Sequence, residues 1–121
     1  MKDDELITWA EINLDAISQN VHAYKHFVGD KVEIIAVVKA NAYGHGIVPT
    51  AQAMLSAGVA KLAVHRYYEG VVLRKKGITA PILVMGGTPF NAIDELLRWQ
   101  LTPTVINAHF AEQLSNVCSQ R

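Results

Sequence analysis

Apolar residues along this chain fall into two patterns, short dense runs and longer stripes of helical period. Residues 34–38, Ile-Ile-Ala-Val-Val, form one unbroken apolar run rich in β-branched side chains. Such a run suits a strand buried on both faces, as in a parallel sheet. Residues 61–65, 81–85 and 102–106 read as three further strands. Between the strands lie helical stripes. Ile17, Val21, Tyr24 and Val28 recur at helical spacing and predict a helix over 16–28, with Asp15 as its N-cap and Gly29 past its end. Residues 48–57 predict a second helix, with Pro49 in the first turn and Gly58 as the stop. Residues 69–76 predict a third, whose Arg74, Lys75 and Lys76 read as a solvated basic end. Thr88 is the expected cap and Pro89 the first residue of a fourth, with Ile93, Leu96 and Leu97 facing inward. Asn107 is the expected cap of a last helix with the stripe Phe110, Leu114, Val117 and Cys118. Residues 7–14 read as a short leading strand, and residues 1–5 as a charged, frayed end.

The order is therefore a leading strand and helix, then four strand–helix units. Strand starts near 34, 61, 81 and 103 fit βα crossovers, which build a parallel sheet. The fold class is α/β in one domain, without a linker or a low-complexity tract. Four such units do not close a (β/α)8 barrel, which takes about 250 residues. The residues alone leave two architectures open: half of a barrel, or a small open doubly wound sheet.

Composition narrows the partners. Half of the 121 residues are hydrophobic, enough for a real core. Acidic and basic residues balance at 11 each, so no strong field favours nucleic acid or an anionic membrane. The one cysteine, Cys118, rules out an intramolecular disulfide framework and fits a reducing cytosol; it reads as an ordinary buried or half-buried helix residue. No signal peptide opens the chain and no apolar run approaches the ~20 residues needed to span a bilayer. The expectation is a soluble cytoplasmic protein.

The candidate chemistry sits where the first apolar run ends. Lys39 follows the run directly, and an amine at the end of a buried strand is costly unless solvated, paired or chemically used. Ligands of β/α proteins gather at the carboxyl ends of the strands. A polar turn follows, with Asn41, Tyr43, Gly44, His45 and Gly46. Its two glycines permit backbone shapes closed to other residues. His45 reads as a structural hydrogen-bonding group rather than a base. His65 and Arg66 follow the second strand and should face the same mouth. Met85 ends the third strand, where pocket lining and core packing both suit it. His22 and His26 stand four apart, a spacing two metal ligands can share, but no carboxylate or thiol completes a site. They read as a solvated face, and no metal is expected.

The segment Ala-Val-Val-Lys-Ala-Asn-Ala-Tyr-Gly-His-Gly at 36–46 resembles the pyridoxal-phosphate attachment motif of the alanine racemase family. Thr-Trp-Ala-Glu-Ile-Asn-Leu at 8–14 and Ile-Leu-Val-Met-Gly-Gly at 82–87 are similar to the same family. The resemblance runs through all 121 residues but covers the first third of a racemase. It implies the half-barrel architecture, with residues 1–14 a leading segment that in the family joins a carboxyl-terminal β domain. It implies pyridoxal 5'-phosphate held as an aldimine on Lys39. Lys39 is then both the attachment point and a proton-transfer group, and Tyr43 a hydrogen-bond partner of the cofactor phosphate. It implies interconversion of L-alanine and D-alanine for cell-wall synthesis by a homodimer; racemases of serine, lysine or broader substrates share the motif. The family's second base, a tyrosine from the partner subunit, has no match here. Neither does its arginine against the pyridine nitrogen, nor its later Gly/Ser-rich phosphate loop. The expectation is feeble or no racemisation by this chain alone. A binding module that holds the cofactor without turnover and a half-barrel fragment without ligand are the alternatives. The His-Arg-Tyr-Tyr wording at 65–68 departs from the family's pattern.

Overall fold

The computed structural model describes residues 7–120, so the frayed end expected at 1–5 lies outside the described residues. Helix α1 (Leu14–Val28) leads into strand β1 (Ile35–Val37), and a one-turn element α2 (Lys39–Tyr43) follows at once. Then come α3 (Ile47–Ser56), β2 (Lys61–Val64), α4 (Tyr67–Lys75) and β3 (Ile82–Val84). A 3-10 turn (Phe90–Ala92), α5 (Ile93–Arg98), β4 (Thr102–Pro103) and α6 (Ala108–Ser119) complete the chain.

The four strands form one sheet in the order β1-β2-β3-β4, every pair parallel. Successive strands are neighbours, with no reversal of order. A doubly wound sheet needs such a reversal and a barrel does not, so the topology is that of half a barrel. In register, Ala36 pairs Leu62, which pairs Ile82, and Val64 pairs Val84. These side chains share the helix-covered face with Val38; Val38, Leu62, Val64, Ile82 and Val84 are fully buried. Leu73 of α4 and Ile93 and Leu96 of α5 close over them. Full burial of one such side chain stabilises by about 1.5–3 kcal/mol, so this layer is the energetic centre of the fold.

The other face is different. Ile35 is 45% and Val37 37% exposed. The run at 34–38 was expected to be buried on both faces, and it is buried on one. Among the described residues the helices cover the face of Val38 and Leu62, so the alternate side chains of β1 stay partly exposed on the other.

Other expectations need correction at their own sites. Residues 7–13 form no strand: they lack a ladder partner among the described residues, and Ile7 and Trp9 are exposed. Helix α1 is capped by Asn13, whose Oδ1 accepts from Ala16 N at 3.0 Å; Asp15 stands in the first turn instead. Tyr24 points outward at 66% exposed, beside exposed Phe27, while Val21 carries the buried contact. Thr88 does not cap: the chain enters a 3-10 turn after Pro89, and Thr88 Oγ1 is buried without a hydrogen-bond partner among the described residues. Cys118 is exposed. Arg74 is no solvated end. Its Nη1 donates to Ile78 O and Ala80 O at 2.7 Å each, its Nε to Trp99 O at 2.9 Å and its Nη2 to Gln100 O at 3.1 Å. Burial draws its pKa below the ordinary arginine value. One guanidinium thus ties together the two loops that feed β3 and β4.

Candidate active site

Strand β1 ends at Val37, and Val38 N still donates to Ala63 O at 2.9 Å, so the pairing with β2 runs up to the residue before Lys39. Lys39 is half-buried there. The four residues after it take an unusual path. Ala40, Asn41, Ala42 and Tyr43 have φ of 52, 55, 53 and 55°, a complete left-handed turn without a glycine. Each such residue costs about 1–2 kcal/mol, so the turn persists only where its surroundings over-determine it.

They do. Ala42 N donates to Val38 O at 3.0 Å, Gly46 N to Asn41 O at 3.0 Å and His45 N to Ala42 O at 3.1 Å. Asn41 Oδ1 accepts from Ile47 N at 2.9 Å and so caps the start of α3. His45 Nδ1 donates to Ala42 O at 2.9 Å, the structural role expected of it. Gly44, with φ 90°, carries the chain out of the turn at a cost that L side chains would feel. The left-handed path folds Tyr43 back along the lysine, and Lys39 Nζ lies 6.0 Å from the centre of the Tyr43 ring.

Lys39 opens on a cleft of about 350 Å³ lined by Lys39, Ala40, His65, Arg66, Tyr68 and Glu69. His65 and Arg66 are therefore at the same mouth as Lys39, as their place after β2 implied. Gly86, just past the end of β3, donates its N–H to His65 O at 2.9 Å. A Cβ on Gly86 would meet that oxygen at 2.7 Å, so only glycine permits the approach. Arg66 Nη1 reaches Gly87 O at 3.4 Å. Met85 lies outside the lining of this cleft; it is half-buried, and its N–H donates to Val64 O at 2.9 Å.

Glu69 was not singled out from the sequence. Its Oε1 accepts from Ala40 N at 2.7 Å, and its Oε2 accepts from His65 N at 2.9 Å and Arg66 N at 2.7 Å. It is the third residue of α4, where a glutamate commonly reaches back to the N-cap amide. The signal was hidden because the N-cap is Arg66, which lacks the hydroxyl that advertises a capping box. The carboxylate is engaged with backbone, and the amine of Lys39 faces a tyrosine ring.

Residues 12–121 match the family described as alanine racemase, N-terminal domain. The chain belongs to this family. It is 46% identical over 108 residues to an alanine racemase of Clostridium perfringens strain SM101, covering 89% of this chain and 28% of that protein. It is 40% identical over 109 residues to alanine racemase 2 of Bacillus subtilis strain 168, covering 90% of this chain and 28% of that one. Among solved structures, it superposes on the alanine racemase of Clostridium difficile 630 with a TM-score of 0.91 at 38% identity, covering 96% of this chain and 30% of that one. The alanine racemase of Bacillus anthracis with bound L-Ala-P gives 0.84 at 46% identity, covering 88% and 28%. The chain thus spans about three-tenths of the length of these relatives. Its parallel sheet matches the amino-terminal part of their barrels, and the open doubly wound alternative falls.

Proposed function

We propose that this alanine racemase-family chain supplies the lysine side of an amino-acid racemase site, with pyridoxal 5'-phosphate as cofactor and alanine as substrate. One observation supports this above the others. The motif lysine stands at the carboxyl end of β1, half-buried, beside a cleft, with the motif tyrosine turned back over it.

The residues present fit the cofactor. Lys39 offers a primary amine without a carboxylate ion-pair partner among the described residues, and Tyr43 offers an exposed phenol on the same turn. In this reading Lys39 would hold the cofactor through its aldehyde and Tyr43 would donate a hydrogen bond to its phosphate. Bound, the cofactor supplies an electron sink that stabilises negative charge at the substrate Cα. The protein's part is proton movement. Lys39 Nζ would take the α-proton from one face of the substrate in one direction of the reaction and deliver a proton to that face in the other. The left-handed turn keeps that nitrogen at the mouth. Racemisation also needs a proton donor or acceptor on the opposite face, and Lys39 serves one face only. This chain by itself is therefore expected to turn over alanine feebly or not at all.

The relatives' names support alanine as substrate, and the bound L-Ala-P of the Bacillus anthracis protein supports a small amino-acid-like ligand there. A cytoplasmic homodimer, with residues 1–14 reaching toward a β domain, completes the reading. No helix among the described residues is long and apolar enough to cross a membrane. The exposed apolar side chains of Ile35 and Val37 favour coverage of the open sheet face. Light scattering on the eluted chain tests pairing: a clean monomer at high concentration counts against it. Titration with pyridoxal 5'-phosphate tests the site itself. A new visible absorbance band is expected, lost in Lys39→Ala, and a D-alanine assay then separates turnover from binding alone.

A further inference from the structure

We propose that Glu69 is the positioning residue of Lys39, its carboxylate holding the left-handed turn that aims the lysine amine into the cleft. The inference rests on Lys39 being the reactive amine and adds what sets its direction.

Ala40 is the first left-handed residue, and its N–H belongs to the peptide joining it to Lys39. Fixing that peptide fixes the backbone torsion from which the Lys39 side chain departs. The hydrogen bonds within residues 38–47 stabilise the later part of the turn: they engage the N–H groups of Ala42, Gly44, His45, Gly46 and Ile47. The Ala40 N–H is instead held from outside, by Glu69 Oε1 at 2.7 Å. The other oxygen of the same carboxylate is anchored by His65 N at 2.9 Å and Arg66 N at 2.7 Å, at the end of the neighbouring strand. One side chain therefore ties the start of the strained turn to β2. These lengths are those of charge-assisted bonds.

Glu69 is itself well held. It lies in the first turn of α4, and the next residue, Gly70, packs so closely that a Cβ there would meet Leu101 Cδ2 at 2.9 Å. Leu73, one turn further, is fully buried. The helix thus presents the carboxylate from a fixed base. Glutamine has the same shape but only one acceptor oxygen. Its amide N–H groups would point at either the Ala40 donor or the His65 and Arg66 donors, so Glu69→Gln releases one side of the bridge.

The test has two readouts. The three-bond HN–Hα couplings of Ala40, Asn41 and Ala42, read together with the short intraresidue HN–Hα distance that a positive φ gives, report the sign of φ without any cofactor. The rate at which pyridoxal 5'-phosphate and borohydride mark Lys39, with Lys61 and Lys75 in the same sample as internal controls, reports the amine. In Glu69→Gln the couplings are expected to leave their left-handed values. The Lys39 marking rate is expected to fall on the order of tenfold or more, with the control lysines unchanged. Couplings that stay left-handed, or a released turn with an unchanged Lys39 rate, overturn the proposal. If unaltered chain shows no marking that Lys39→Ala removes, the cofactor reading fails, and the couplings still decide the role of Glu69 in the turn. Should Glu69→Gln not fold, the unaltered chain answers instead. A through-hydrogen-bond coupling between Ala40 N and the Glu69 carboxyl carbon is expected, and its absence overturns the proposal.

Discussion

Helix α4 carries a charged residue near each end, and the two do opposite things. Glu69, in the first turn, gathers three backbone N–H groups at the carboxyl end of the sheet. Arg74, in the last turn, gathers four backbone carbonyls at the other end. Both suit the helix dipole, negative charge at the start and positive at the finish. The lesson is in what each ties down. Arg74 joins two connecting loops remote from the cleft, so its work is stability. Glu69 joins a strained turn that follows the candidate lysine, so its work is aim. Barrel proteins divide labour in this way: chemistry at the carboxyl ends of the strands, stability at the amino ends.

Four substitutions break or sharpen the contrast. The largest effect is expected from Lys39→Ala, which removes cofactor attachment entirely while circular dichroism keeps the folded signal. Arg74→Met comes next. It leaves the carbonyls of Ile78, Ala80, Trp99 and Gln100 without their charged donor, and an unfolding free energy lower by about 2–4 kcal/mol is expected in urea titration. Lys39 marking in the folded fraction should be unchanged; a parallel loss would mean the two ends are not independent. Glu69→Gln is the converse. A stability loss of about 1 kcal/mol is expected, measured in the same titration, with the fall in Lys39 reactivity far larger in proportion. Tyr43→Phe is the mildest. Losing one neutral hydrogen bond should weaken cofactor affinity by roughly 2–10-fold with attachment retained, as equilibrium titration would show.

Much of the architecture was legible because it is local and periodic. Leu62, Val64, Ile82 and Val84 were dense apolar runs at crossover spacing, and they are the buried layer. Asn107 caps α6 as its sequence context implied, with Oδ1 accepting from Phe110 N at 2.8 Å. What was not legible depends on distant partners. Residues 7–14 have the composition of a strand, but a strand needs a ladder, and none is offered to them among the described residues. Tyr24 has the right spacing for α1's inner stripe, yet where α1 packs on α3 it is Val21 that is buried and Tyr24 stays exposed. Arg74 looked like a solvated helix end because its four acceptors come from two loops that only the fold brings together.

The candidate site divides in the same way. Lys39 and Tyr43 were readable, because a motif names them and strand ends gather ligands. The geometry that joins them was not. Ala40 and Ala42 have no local preference for positive φ, and Asn41, which tolerates it better, does so as a single residue, so their spelling does not announce a left-handed turn. Bonds within residues 38–47 hold its later part, and its start is held by a long-range bond to a glutamate 29 residues later.

The most direct test is where the aldehyde lands. The chain is treated with pyridoxal 5'-phosphate, reduced with borohydride, digested and mapped by mass spectrometry over Lys25, Lys39, Lys61, Lys75 and Lys76. Modification concentrated on Lys39 at low reagent is the predicted result. Modification spread over the surface lysines, with Lys39 no more reactive than Lys75, would contradict the account.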